Sequence, residues 1–368
     1  MAKRRTAEAF WIDSRERWQI NVQRDGKRKT FTSSTPGRRG KREAEAKADD
    51  WLDAGQPDDL SFASAWAIYL DHVKRTTGTS NYHDIESIGR IWLLPALHNV
   101  RLSKIHLSHL QSIITACGEA GRSKRTCKNV RDKISCFFNF AADQGWEYTV
   151  KPSRTKLPTQ AKAATRTVLH MDALKALFSD ATVTRHGHQD ESFYIHAYRF
   201  LVLTGYRRGE LCGFRAEDYD DPVLTVNRSI NHFREVTQGK NDNARRTNVL
   251  SKRARDVLAD QRKMLMSKGI ISPWLFPSTD GDVLNPSTLT NHWLRVYAPQ
   301  HGIKCSLHEL RHTFVSIVKL EMPEALLKDV IGHSASMDTT GVYGHEIDGE
   351  KQRAADIIDS IFDRMLGK

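Results

Sequence analysis

Ser306 and Glu309 stand three residues apart at the head of Ser306-Leu307-His308-Glu309-Leu310-Arg311-His312-Thr313-Phe314. A serine followed at that distance by a glutamate is a capping box, in which each side chain takes a backbone N–H of the other, so a helix starts here. Leu307, Leu310, Phe314 and Ile317 recur at helical spacing and mark its buried face. His308 and Arg311 leave that helix from the same turn. Pro323 opens a second helix through Leu326, Leu327 and Ile331 to Gly332-His333, and Tyr343 follows ten residues later. The two helices must pack so that a guanidinium, two imidazoles and a phenol gather, a set suited to chemistry on a phosphodiester.

The 368 residues are enough for two or three domains, and they carry a formal charge of +12 and an isoelectric point near 9.5. A surplus of this sign favours a polyanionic partner. It is concentrated at one end: residues 1–42 hold thirteen Lys/Arg against four Asp/Glu. Cys117, Cys127, Cys136, Cys212 and Cys305 form no CxxC pair and read as reduced thiols, mostly core fillers. No apolar run reaches membrane-spanning length, and Lys3-Arg4-Arg5 precedes no signal-peptide core, so a cytoplasmic protein is expected. There is no GxxxxGK[ST] loop to hold a nucleotide.

Phe10-Trp11-Ile12, the alternating Trp18, Ile20 and Val22, and Thr30-Phe31-Thr32 read as three strands, with Asp25-Gly26 a hairpin turn. A helix over 41–54 follows, with Trp51 and Leu52 inward. The strands carry Arg15, Arg17, Arg24, Lys27, Arg28 and Lys29, and Lys27, Arg28 and Lys29 are candidate DNA contacts. After a linker at 55–59 the pattern is all helical, over 62–73, 82–94, 108–117 and 123–143. The last helix has an apolar face (Val130, Ile134, Phe137, Ala141) and a basic stripe (Lys124, Lys128, Arg131) spaced to meet phosphates. Residues 151–164, with two prolines and four Lys/Arg, read as a second linker, mobile or extended. Beyond it, helices are expected over 171–178, 193–204, 251–266 and 286–296. A three-stranded meander is expected over 223–230, 233–237 and 247–250, with 239–243 as its last turn. Residues 350–366 form a helix whose Ala354, Ile358, Ile361, Phe362 and Met365 make one apolar face, to be covered by its own domain or by a second copy of the chain.

Four separated motifs now stand in order: Thr204-Gly205-Tyr206-Arg207-Arg208-Gly209-Glu210-Leu211; Lys240 with Arg246 after it; His308-Glu309-Leu310-Arg311-His312-Thr313-Phe314; and Ile331-Gly332-His333 leading to Tyr343. Together they resemble the tyrosine recombinase (phage integrase) family, over 165 to about 345. The resemblance implies a multidomain α+β chain. Residues 1–56 would be a small three-stranded sheet plus helix that binds arm sites, and 61–150 an all-helical domain that binds core sites. Residues 151–164 would be a linker. Residues 165–348 would be a mixed, mainly helical catalytic domain with a small antiparallel sheet, and 349–368 a tail helix. It also implies site-specific integration and excision of a mobile element in bacteria, through a 3′-phosphotyrosine and without metal, nucleotide or other cofactor. The partners would be double-stranded DNA, further copies of the chain in a tetramer, and DNA-bending or directionality factors. By the same resemblance Arg207 and Arg311 bind the phosphate, Lys240 protonates the leaving 5′ oxygen, His308 and His333 flank the phosphate, Tyr343 is the nucleophile and Glu210 buttresses the site. Arg246 is taken as a DNA contact. In the Arg207-Arg208 doublet, spacing from Thr204-Gly205 favours Arg207.

The chemistry fits these residue types. A phosphodiester repels nucleophiles, so its five-coordinate transition state needs fixed positive charge, which guanidinium groups supply. Two alternatives share parts of the pattern. A type IB topoisomerase would use the same residues to relax DNA. His308-Glu309-Leu310-Arg311-His312 is also a literal H-E-x-x-H, the zinc peptidase signature, although that function leaves Arg207, Lys240 and Tyr343 without a role.

Overall fold

The computed structural model describes residues 7–24, 27–53, 60–159, 168–237, 245–332 and 349–367; the side chains of Arg24, Lys27 and Asp53 lie outside that description. So do the Asp25-Gly26 turn, the linker at 55–59, the turn at 239–243, and Lys240, His333 and Tyr343. Contacts divide the chain into two units, Met1–Ala164 and Thr165–Lys368.

In the first unit β1 (Phe10–Ile12), β2 (Arg17–Arg24) and β3 (Lys27–Ser33) form an antiparallel sheet in that order. Alternation puts Trp18, Ile20 and Val22 on one face, where α1 (Gly37–Asp53) covers them with Ala44 and Ala48. α1 begins before the expected residue 41. Glu43 accepts hydrogen bonds from the hydroxyls of Ser33 and Thr35, and this tie holds the end of β3 against the first turns of the helix.

α2 (Phe62–Thr76), α3 (Thr79–Ile88), a π-helical turn at Gly89–Leu93 that runs into α4 (Leu94–Leu97), α5 (Leu107–Glu119) and α6 (Lys124–Asp143) enclose a second core around Phe62, Trp66, Phe137 and Phe138. Ser61 and Ser123 cap α2 and α6 by accepting the N–H of Ser64 and Thr126. Gly89 lets the chain lie on Trp66: a Cβ there would meet the indole nitrogen at 2.3 Å.

Residues 151–159, the described part of the expected linker, are held by the helical domain before them. Gln111 accepts from the Lys156 N–H and donates to the Lys156 carbonyl, Arg131 donates to the Thr155 carbonyl, and Leu157 packs on the helical core. Proline and charge mark it as a mobile or extended linker, and side chains from α5 and α6 supply groups that its backbone needs.

The second unit contains α7 (Met171–Ser179), β4 (Thr182–Arg185), β5 (His188–Glu191), α8 (Ile195–Thr204), α9 (Arg208–Gly213), β6 (Tyr219–Asp220), β7 (Val223–Val226), β8 (Ser229–Ile230), β9 (Val236–Thr237) and β10 (Arg246–Val249). Then come α10 (Lys252–Ser267), α11 (Pro286–His292), a π-helical turn at Trp293–Tyr297, α12 (Ala298–Gln300), α13 (Leu307–Val318), α14 (Glu324–Ile331) and α15 (Glu350–Leu366). α8 is buried on every side and packs against α10 and α13. The expected meander is not formed. β10 pairs with β7, and β7 with β6, while β8 and β9 form a separate hairpin. The break falls at Asn227 and Arg228, whose side chains are drawn to Asp218 and, for Arg228, also to Glu217 and the Gly213 carbonyl. The β4–β5 hairpin was not expected; β5 is exposed throughout and gives no apolar alternation.

The apolar face of α15 is covered in cis. Ala354, Ile358, Ile361 and Phe362 belong to the core of this unit. Asp359 accepts the N–H groups of Lys252 and Arg253, capping α10 from another helix, and Arg253 donates to Asp363.

Candidate active site

α8 ends at Gly205, whose φ of 67° suits glycine and whose missing side chain makes room for α13: a Cβ would meet the Phe314 ring at 2.3 Å. The chain turns through buried Tyr206 to Arg207 at the head of α9. Glu210 accepts the Arg207 N–H at 2.9 Å and Arg207 Nη1 at 2.7 Å. Arg207 Nη2 donates to the Gly332 carbonyl at 3.3 Å. Arg208 points elsewhere and donates to the Thr290 hydroxyl of α11. Of the doublet, Arg207 is the member that meets Glu210 and the end of α14, while the charge of Arg208 also reaches His308.

Arg311 reaches the same place from α13. That helix begins with the expected capping box between Ser306 and Glu309. The Arg311 side chain is buried, and its Nη1 and Nη2 donate to the carbonyls of Gly205 at 2.6 Å and Ile331 at 2.9 Å. Both acceptors end helices, where the backbone dipoles leave negative charge that stabilises a cation. Burial, followed by the charge of Arg207, lowers the Arg311 pKa to about 10, which leaves it protonated at neutral pH.

His308 stands one turn before Arg311 and remains exposed. Its ring meets His312 edge to face, with centroids 4.8 Å apart. The protein around the ring displaces part of its water, and His312, Arg311, Arg208 and Arg207 add positive charge; all of these lower its pKa and favour the neutral imidazole.

Arg246, expected to contact DNA, is turned inward instead. Its side chain is 6% exposed, and it donates to both oxygens of Glu210 and to the Val330 carbonyl. The parity of β10 explains this: Arg246, Asn248 and Leu250 alternate on the side that faces α14 and the core. Asn248 donates to the Tyr206 hydroxyl and to the Val330 carbonyl. Burial pushes the Glu210 carboxyl up, but the hydrogen bonds and charge of Arg246, and then Arg207, outweigh it and hold Glu210 below its ordinary value.

The structure thus gathers Arg207, Glu210, Arg311 and Arg246 around the last carbonyls of α14, with His308 one turn from Arg311. Lys240, His333 and Tyr343 lie outside the described residues. The roles of Asn248, Tyr206 and His312 were missed by sequence reasoning, and only the period-two pattern of β10 hinted at the first. Glu309 serves the cap: it accepts the Ser306 N–H rather than standing free beside His308 and His312.

The candidate DNA contacts of the first unit divide. Lys124 is exposed; Lys128 pairs with Asp132 at 2.7 Å; Arg131 is partly buried and holds Thr155. On β3, Lys29 lies on the α1 side with its ammonium over Phe31 and Trp51, whereas Arg28 shares the opposite face with Thr30 and Thr32. Their cross-strand partners on that open face are Gln23, Asn21 and Gln19, and Arg17 lies further along the same side of β2, so amides and hydroxyls lie between Arg28 toward one end and Arg17 toward the other.

Residues 168–350 match the phage integrase family. A XerC-like tyrosine recombinase of Caldanaerobacter subterraneus subsp. tengcongensis is 21% identical over 91% of this chain and 92% of its own length. A tyrosine recombinase of Pseudothermotoga lettingae is 32% identical over 41% of this chain and 49% of its own length. Among solved structures, a lambda integrase tetramer bound to a Holliday junction has a TM-score of 0.59 at 17% identity, covering 91% of this chain and 98% of that one. The Tn1549 transposon integrase in complex with transposon right end DNA has a TM-score of 0.62 at 18% identity, covering 81% and 99%. These structural likenesses show the shared fold. The chain belongs to the phage integrase family and is a tyrosine recombinase.

Proposed function

We propose that this chain is a site-specific DNA recombinase that integrates and excises a mobile element through a 3′-phosphotyrosine. The observation that carries the proposal is the convergence of Arg207 and Arg311 on one helix end with His308 beside them. Two planar forks suit the non-bridging oxygens of one phosphodiester. In the proposed reaction the Tyr343 oxygen attacks phosphorus and its proton passes to His308, whose surroundings favour the neutral form. The bond from phosphorus to the 5′ oxygen breaks, and Lys240 protonates that oxygen. His333 adds a second imidazole at the phosphate. The phosphotyrosine conserves the bond energy, so a 5′ hydroxyl of another strand reverses the step without metal or nucleotide.

Residues 1–56 are assigned to arm sites, 61–150 to core sites, 165–348 to catalysis and 349–368 to the tail. The DNA-bound lambda and Tn1549 integrases support duplex DNA as the substrate, and the lambda tetramer supports four copies of this chain as the acting assembly. Bending or directionality factors would set the direction of exchange. Capping by Glu309 counts against a metallopeptidase, which would require that carboxylate as its base.

The test is covalent capture on nicked duplexes bearing the element's ends, in excess EDTA. Wild-type protein should form an adduct and the Tyr343→Phe variant should bind DNA without one. An adduct from the variant, or cleavage lost in EDTA and restored by zinc, overturns the proposal. Relaxation of plasmids lacking those ends, with no strand exchange, favours the topoisomerase instead.

A further inference from the structure

We infer that Arg246 is a positioning residue for the phosphate-binding arginines: it occupies one side of the Glu210 carboxylate and so leaves Arg207 with donors for DNA. This rests on the DNA cleavage proposed above.

The geometry is that of one carboxylate between two guanidinium groups. Glu210 Oε1 accepts from Arg207 Nη1 at 2.7 Å and from Arg246 Nη1 at 3.3 Å; Oε2 accepts from Arg246 Nη2 and from the Arg207 N–H, both at 2.9 Å. The two arginines differ in access. The Arg207 side chain is 33% exposed and that of Arg246 6%, so of the two only Arg207 is placed to meet a phosphate arriving from solvent.

Arg246 is held on other sides as well. Its Nε donates to the Val330 carbonyl at 2.9 Å, and its guanidinium lies 5.0 Å from the centre of the Tyr206 ring. Val330, Ile331 and Gly332 are consecutive, and their carbonyls accept from Arg246, Arg311 and Arg207 respectively. One helix end therefore sets three guanidinium groups in register. It also supplies partial negative charge where three cations stand near one carboxylate.

Without Arg246 the buried carboxylate would keep a single guanidinium bonded to it. A carboxylate in that position favours a two-pronged pair, which would draw Arg207 fully onto Glu210 and neutralise the charge intended for phosphate. Arg246 acts through Glu210 and touches no DNA.

The experiment measures single-turnover adduct formation by the full chain on nicked duplex DNA, with DNA affinity and thermal unfolding in parallel. Arg246→Gln should slow cleavage about 100-fold with little loss of DNA affinity, and Arg246→Lys should fall between Gln and wild type. On a substrate with a neutral methylphosphonate at the scissile position, the deficit of Arg246→Gln should shrink to below about tenfold, because less charge needs balancing. The double variant Glu210→Gln/Arg246→Gln leaves no buried carboxylate to capture Arg207 and should cleave faster than Arg246→Gln alone. It also serves as the comparison if the single variant unfolds at assay temperature. Wild-type cleavage by Arg246→Gln, equal deficits on the two substrates, or a double variant no faster than the single one overturns the inference. If wild-type protein forms no adduct, the cleavage proposal itself fails.

Discussion

Arg311 donates to the Gly205 carbonyl at 2.6 Å, so the end of α8 holds from one side the guanidinium that Ile331, at the end of α14, holds from the other. The site is built on this clasp. Neither contact is made by a charged partner, so Arg311 is fixed in place while its charge remains available.

Gly205→Ala should break the clasp. The substitution puts a Cβ at a φ of 67° and 2.3 Å from the Phe314 ring. A loss of about 2–3 kcal/mol in urea unfolding is expected. Cleavage at a temperature where the variant is folded should also fall, because α13 must move and carries Arg311 and His308 with it.

The lowered pKa of His308 sets a pH dependence. If the neutral ring accepts the proton of Tyr343, adduct formation should be level near neutral pH and fall in acid, with a midpoint below the ordinary value of about 6.5. Removing a positive neighbour favours the charged form, so His312→Ala should move the midpoint upward. The stability sign follows. A histidine whose folded pKa is lowered binds protons more readily when unfolded, so it costs nothing above the ordinary value and destabilises the fold as pH drops below it. A pH–rate profile unchanged by His312→Ala would exclude the assignment.

Covering α15 in cis changes what its variants should do. Ile358→Glu with Phe362→Glu places two carboxylates in the core of the second unit and should destabilise it by more than about 3 kcal/mol, measured by thermal unfolding without DNA. Asp359→Ala removes the cap of α10 and should cost about 1 kcal/mol. Unfolding indistinguishable from wild type in both would place the tail on another molecule.

Lys124 and Arg131 should separate in salt titrations of DNA binding. Lys124→Ala should reduce the slope of log affinity against log salt by about one if it meets a phosphate. Arg131→Ala should leave the slope unchanged and instead speed hydrogen exchange at the Thr155 and Lys156 amides, which the Arg131 and Gln111 contacts help to hold. The opposite pattern would return Arg131 to the DNA-contacting face.

Features that depend on neighbours within a turn or a strand pair could be read from the residues alone. The capping box of α13, the helix break at Gly205 and the three N-terminal strands rest on contacts between residues a few places apart or on a simple period. The motif residues of the site were legible for a different reason: Arg207, Glu210, His308 and Arg311 carry their chemistry in their type and order. Other features waited on long-range packing. Arg246 carries the same charge whether it faces DNA or Glu210, and only the pairing of β10 with β7 turned it inward. Nothing within 151–159 announces that Gln111 and Arg131 hold it, and the α15 face is apolar whichever surface covers it. A side chain's chemistry states which partners it needs, but when those partners lie far along the chain, only the packed molecule selects among them.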